Sequence, residues 1–173
     1  MALIRRGIHF GSYGSVDDGA AVFGRLAHAA KLAQDAGFDA ISVPDHGLQN
    51  QVGGGPASPM FEAYSVLGAL AVVTSSAALF SLVSPVTLRA PGLLAKAVTT
   101  LDVISGGRAL LGVGAGWDVA EHEAYGIEFP GLGERFDRLE EELAICQAMF
   151  SAERASFNGK FYAVRDEIGR AHV

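Results

Sequence analysis

Short apolar runs alternate with longer helix-patterned runs through this chain, and that alternation restricts its fold more than any single motif. Gly7–Phe10, Asp39–Val43, Ala77–Val83 and Ala109–Val113 are too short for helices and end in glycine, proline or serine, which reads as buried strands. Between and after them lie helical stretches at about Ala20–Ala36, Phe61–Val73, Pro91–Ile104 and Glu134–Phe150, with a shorter one starting at Asp118. Val22, Phe23, Leu26, Ala30 and Ala33 form the buried stripe of the first helix, which Asp17 or Asp18 can cap. Leu94, Val98 and Leu101 form that of the third, and Phe136, Leu139, Leu143, Cys146 and Phe150 that of the last. Strand–helix order repeated four times implies a parallel sheet with helical crossovers. Each unit takes roughly 40 residues, so a closed eight-stranded β/α barrel would need roughly 330. The chain has 173 residues, so the expected fold is α/β, the first half of a parallel β/α (TIM) barrel. An open doubly wound sheet is the rival.

Function classes narrow with composition. The net charge is −6 with no basic run, which argues against a nucleic-acid partner. Cys146 is the single cysteine, so neither a disulfide framework nor a thiolate metal cluster is expected. The longest apolar region, Val66–Val83, is interrupted by Gly68 and Thr74-Ser75-Ser76, so no membrane span is expected and a cytoplasmic protein is the default.

In a β/α barrel, chemistry sits at the carboxyl ends of the strands. That rule selects His9 and Phe10, Asp45 and His46, Ser81–Ser84, and Gly112–Trp117. His46 follows a strand and a proline and stands beside Asp45, which could orient its imidazole. Gly112, Gly114 and Gly116 alternate before a helix start at Asp118, the layout of a loop that lets a ligand approach the backbone. Trp117 occupies the position where a Rossmann fingerprint needs glycine. Leu48–Pro59 is long, polar and glycine-rich, as a lid or binding loop would be. No serine sits in a nucleophile elbow. His122, between Glu121 and Glu123 on an expected exposed helix, shares no face with them, so no metal site is expected.

Several segments resemble one family. SVPDH, the block SPVTLRAPGLLAKAVTTLDVISGGRALLGVGAGW, then EHEAYGIEF and GERFDRLEE are similar to the luciferase-like monooxygenase superfamily, and within it to the deazaflavin (coenzyme F-420)-dependent oxidoreductase branch. The resemblance runs from about Gly7 to Val164 and implies a barrel with the cofactor at its carboxyl-end mouth. It implies His46 as proton donor near the reactive ring and Ser81, Leu82, Gly114, Ala115 and Gly116 as cofactor contacts, to which the strand-end rule adds His9, Phe10 and Trp117. It further implies a non-prolyl cis peptide in a bulge on the third strand, for which Ser81-Leu82 is the candidate by position. The sugar-phosphate dehydrogenases of the family carry a tryptophan and a glutamate where this chain has Asn50 and Trp117.

The expected activity is hydride transfer between coenzyme F-420 and a small organic substrate. The alternatives are an FMN-dependent monooxygenase, a non-catalytic flavin-binding relative and, from another class, metal-dependent hydrolysis. The resemblance allows a homodimer of the full-length protein. Ala155–Val164 reads as a hairpin around Asn158-Gly159. Beyond it the sequence loses periodicity, and EIGRAHV reads as a translated sequencing adapter. One barrel-half domain over residues 1–165 and a non-native tail over 166–173 are therefore expected, with the half-barrel alone inactive and poorly soluble.

Overall fold

The computed structural model describes residues 5–14 and 19–167, so the Asp17 or Asp18 cap and the end of the expected tail lie outside the described residues. Strands β1 (Gly7–His9), β2 (Ala40–Val43) and β3 (Ala78–Ser81) pair in parallel in that order. Helices α1 (Gly19–Asp35) and α2 (Ala63–Val73) connect them. Beyond Ser81 the third strand changes partner. A two-residue strand β4 (Ser84–Pro85) pairs in parallel with β5 (Val113–Gly114), and Leu79 bridges Ala109. Segments 78–85 and 109–114 therefore lie side by side, with α3 (Pro91–Ser105) crossing between them. This is the expected α/β arrangement of successive parallel strands.

Strand alternation sorts the side chains. Ile8, Ile41 and Leu79 stand in register and pack with Val22, Leu26, Leu67 and Leu70 of α1 and α2. Phe10, Val43 and Ser81 continue that face, and Ser81 is fully buried. His9, Ser42 and Phe80 occupy the opposite face, where the His9 imidazole meets the Ser42 hydroxyl at 3.0 Å. Arg108 locks the rear of this layer. Its guanidinium donates to the carbonyls of Ala71 (2.8 Å), Thr74 (3.1 Å), Ala77 (2.8 Å) and Ser105 (2.7 Å). These include carbonyls that the ends of α2 and α3 cannot satisfy internally.

A non-prolyl cis peptide is present, but between Leu82 and Val83 rather than at Ser81-Leu82. The hydrogen bonds locate the changeover. Leu82 N–H still donates to Val43 in the β2 ladder at 2.9 Å, whereas Ser84 N–H donates to Gly112 on the other side at 2.9 Å. Two of the three alternating glycines make room for this bulge. A Cβ at Gly112 would collide with the Ser81 carbonyl oxygen, and one at Gly114 would stand 2.8 Å from Val83 Cγ2.

The remaining elements are α4 (Val119–Tyr125), α5 (Leu132–Ser151) and a hairpin of β6 (Ala155–Asn158) and β7 (Ala163–Glu167). The expected stripe of α5 is corrected. The helix buries Glu142, Ile145, Cys146 and Met149 against Ala95 and Ala155, while Phe136, Leu143 and Phe150 are exposed. Both stripes have helical spacing, and packing on α3 and β6 selects the first. The hairpin forms as expected, but Asn158 pairs with Ala163, which leaves a four-residue loop, Gly159–Tyr162. The Glu141 carboxylate accepts from Lys160 (2.6 Å), Phe161 (3.0 Å) and Tyr162 (3.0 Å) N–H and so organises that longer loop. Leu48–Pro59 folds back on the chain after β1, through Gln49 to Gly11 and Ser12 to Gly53, both at 3.1 Å.

Candidate active site

At the carboxyl ends of the strands a cavity of about 320 Å³ is lined by His46, Leu82, Val83, Pro85, the loop Gly114–Asp118, Glu121 and His122. Six residues picked out by the sequence meet here: His46, Leu82, Gly114, Ala115, Gly116 and Trp117. Four others do not line it. Phe10 packs in the helix-covered core, Ser81 is buried on that same face, and His9 lies on the open face beside Ser42. The fourth is Asp45.

Asp45 does not orient His46. Its carboxylate, 2% exposed, is gripped by Arg89 through two hydrogen bonds of 2.6 and 3.1 Å. Neighbours in extended chain project to opposite sides, so adjacency in sequence separates the two side chains. The imidazole partner is Glu121, whose Oε2 lies 2.9 Å from His46 Nδ1. A carboxylate only accepts, so Nδ1 carries the proton and Nε2 is left for a ligand. The hydrogen bond to Glu121 raises the His46 pKa above the usual histidine value, against the opposing effect of burial. Burial pushes the Glu121 pKa upward, but the bonds to His46 and to the Gly47 and Leu48 N–H groups outweigh it and hold the carboxyl ionised. The His46 ring also meets Trp117 edge-on at 5.3 Å between centroids. A second cavity of about 400 Å³, lined by Met60, Leu88, Arg89, Tyr125 and Ile127 among others, adjoins the first at His46 and Glu121.

The expectation of an exposed Glu121 and His122 is overturned, since each is 1% exposed. Helix α4 is wedged among the loops following the strands, so two adjacent residues, about 100° apart around the helix, are both enclosed. Asp118 caps α4 by accepting from Glu121 N–H at 3.2 Å. His122 donates from Nδ1 to the Asp118 carbonyl at 2.6 Å, and in the neutral ring the Thr87 hydroxyl donates to Nε2 at 2.7 Å. The segment EHEAYGIEF held the signal for these residues, but periodicity could not expose it on a helix of seven residues. Ligand atoms of His46, Asp118 and Glu121 lie within 4.8 Å of one another, close enough to hold a cation. Their contacts are already explained without one: Asp118 caps α4, and Glu121 accepts from His46.

Comparison with known proteins agrees with this geometry. The family model described as luciferase-like monooxygenase matches residues 5–171. An F420-dependent glucose-6-phosphate dehydrogenase of Beutenbergia cavernae is 39% identical over 136 residues, 78% of this chain and 39% of that protein. The pyrimidine monooxygenase RutA of Yersinia enterocolitica is 32% identical over 108 residues, 61% of this chain and 29% of that protein. The chain thus spans about two fifths or less of the length of these curated relatives. A solved F420-dependent secondary alcohol dehydrogenase, bound to an F420–acetone adduct, superposes with a TM-score of 0.77 at 20% identity, over 94% of this chain and 47% of that one. With its parallel strands, bulged third strand and glycine loop, the chain belongs to the luciferase-like monooxygenase family.

Proposed function

We propose that the complete protein is an oxidoreductase that uses coenzyme F-420 to oxidise or reduce a small organic substrate. The observation that carries this reading is the convergence of the His46–Glu121 pair, the Leu82–Val83 bulge and the Gly114–Trp117 loop on one cavity. The lining fits a flat ring: Leu82, Val83 and Pro85 offer an apolar wall, Trp117 an aromatic one, and His46 a single polarised N–H or lone pair. When bound, the deazaflavin supplies hydride exchange with the substrate carbon. The chain's own residues do the rest. Leu82, Val83 and Trp117 keep water from the ring, and His46 Nε2 gives a proton to, or takes one from, the substrate oxygen. Glu121 holds the imidazole in the required tautomer.

The B. cavernae relative supports the cofactor but not its sugar phosphate. Asn50 and Trp117 depart from the pattern that the resemblance implies for sugar-phosphate dehydrogenases, and Arg89 lines the adjoining cavity, where Asp45 already pairs with it. The RutA likeness favours FMN and monooxygenation as the second reading. Titration of the full-length protein with coenzyme F-420 and with FMN, followed by absorbance, separates the two. Tight binding of F-420 with turnover lowered about 100-fold in His46→Ala is expected. Binding of neither cofactor would sink the proposal, and unchanged turnover would remove His46 from it.

A further inference from the structure

The structure assigns Arg135 as the positioning residue that shapes the cofactor loop, turning the Gly116 and Trp117 N–H groups away from α5 to receive an oxygen of the bound ring. This rests on the proposed cofactor reading. Arg135 stands in the first turn of α5, outside the cavity lining. Its Nη1 donates to the Ala115 carbonyl at 3.3 Å and to the Gly116 carbonyl, while Nε holds the Pro130 carbonyl at 3.1 Å. Phe129 lies against the guanidinium at 4.2 Å and against His122 at 4.6 Å, so the arginine is packed as well as hydrogen-bonded.

The consequence for the loop follows from peptide geometry. In a trans peptide the N–H points opposite to the carbonyl. With the Ala115 and Gly116 carbonyls both drawn to Arg135, the N–H groups of Gly116 and Trp117 both point the other way. Two successive peptides align like this only when the residue between them leaves the extended region, and Gly116 has φ +77°. A side chain at Gly116 would also crowd Thr87 Oγ1 at 3.0 Å and Pro85 Cβ at 3.2 Å. Among the described residues, none accepts a hydrogen bond from either N–H. Paired donors on a cavity-lining loop recognise a carbonyl or anionic oxygen, and a deazaflavin or flavin ring carries carbonyl oxygens on its pyrimidine edge. Asp118 and Glu121, both carboxylates, line the same cavity and disfavour a free anion there, which selects the neutral carbonyl.

Cofactor affinity is measured on the full-length protein, and the loop is read through the emission of Trp117, the single tryptophan of these 173 residues. Arg135→Met keeps the packing on Phe129 and deletes the donors, whereas Arg135→Lys restores one. In Arg135→Met the Trp117 emission should shift to the red and become more open to acrylamide, with the melting curve little changed. Affinity for coenzyme F-420, or for FMN if that is the ring bound, should fall about tenfold or more, with partial recovery in Arg135→Lys. Unchanged emission and affinity would overturn the assignment, as would a loss that only tracks a lowered melting temperature and is not recovered by lysine. If Arg135→Met does not fold, Arg135→Lys alone carries both measurements: an intermediate affinity is expected, and wild-type values overturn the assignment. If the full-length wild-type protein binds neither ring, the cofactor reading fails, and the Trp117 emission still decides whether Arg135 holds the loop.

Discussion

Two histidines close in space have opposite assignments. His122 spends both ring nitrogens on Asp118 and Thr87 and is a structural link. His46 spends one on Glu121 and keeps the other at the cavity. Protonated imidazole quenches indole emission, so the ring contact with Trp117 makes the His46 titration visible in fluorescence. The Trp117 emission should rise as pH rises through a midpoint above 6.5, because the Glu121 hydrogen bond favours the imidazolium. Glu121→Gln should move that midpoint to lower pH, and Asp45→Asn should move it much less, since Asp45 is paired with Arg89. Equal shifts from both variants would return Asp45 to the role its sequence position implied. The stability linked to His46 is fully present below pH 6.5 and is lost as pH rises through the folded-state value.

Helix α5 carries a buried acid. Glu142 is fully enclosed, neither carboxylate oxygen has a hydrogen-bond partner among the described residues, and burial pushes its pKa up to about 8. Between its usual value of 4.5 and about 8, the folded chain keeps a proton that the unfolded chain releases. Stability should therefore fall as pH rises across that window. Glu142→Leu should flatten the slope and stabilise the protein by about 3 kcal/mol at pH 7, as thermal melts across pH would show. Arg108 works in the opposite sense. Arg108→Met would leave at least four carbonyls without their donor and should cost about 3 kcal/mol or more, measurable by denaturant unfolding.

On the scale of the whole molecule, the parallel array has free margins. Among the described residues, β1 pairs only with β2, and segment 109–114 pairs only with the third strand. Beside that second margin Leu110 and Phe150 are exposed, and Phe136 and Leu143 are exposed on α5. Unpaired parallel edges flanked by apolar side chains invite association. The 173-residue chain should sediment as oligomers or aggregate, and Leu110→Lys combined with Leu143→Glu should increase the monomer fraction. A wild-type chain that sediments as a soluble monomer would contradict this.

The parallel strand–helix order was legible in the sequence, because short apolar runs and 3.6-residue periodicity are local properties of the chain. So was the meeting of His46, Leu82 and the glycine loop, because strand ends converge wherever strands run parallel. Partners were not legible. Sequence adjacency pointed to Asp45 for His46, and periodicity pointed to Phe136 and Leu143 for the core, yet Glu121 and Ile145 took those places. Arg135 and Glu121 lay within motifs read for family likeness, with nothing local to mark their contacts. Which carboxylate reaches an imidazole, and which of two helical stripes is covered, depends on the packing of elements distant in sequence. Only the tertiary structure sets that packing.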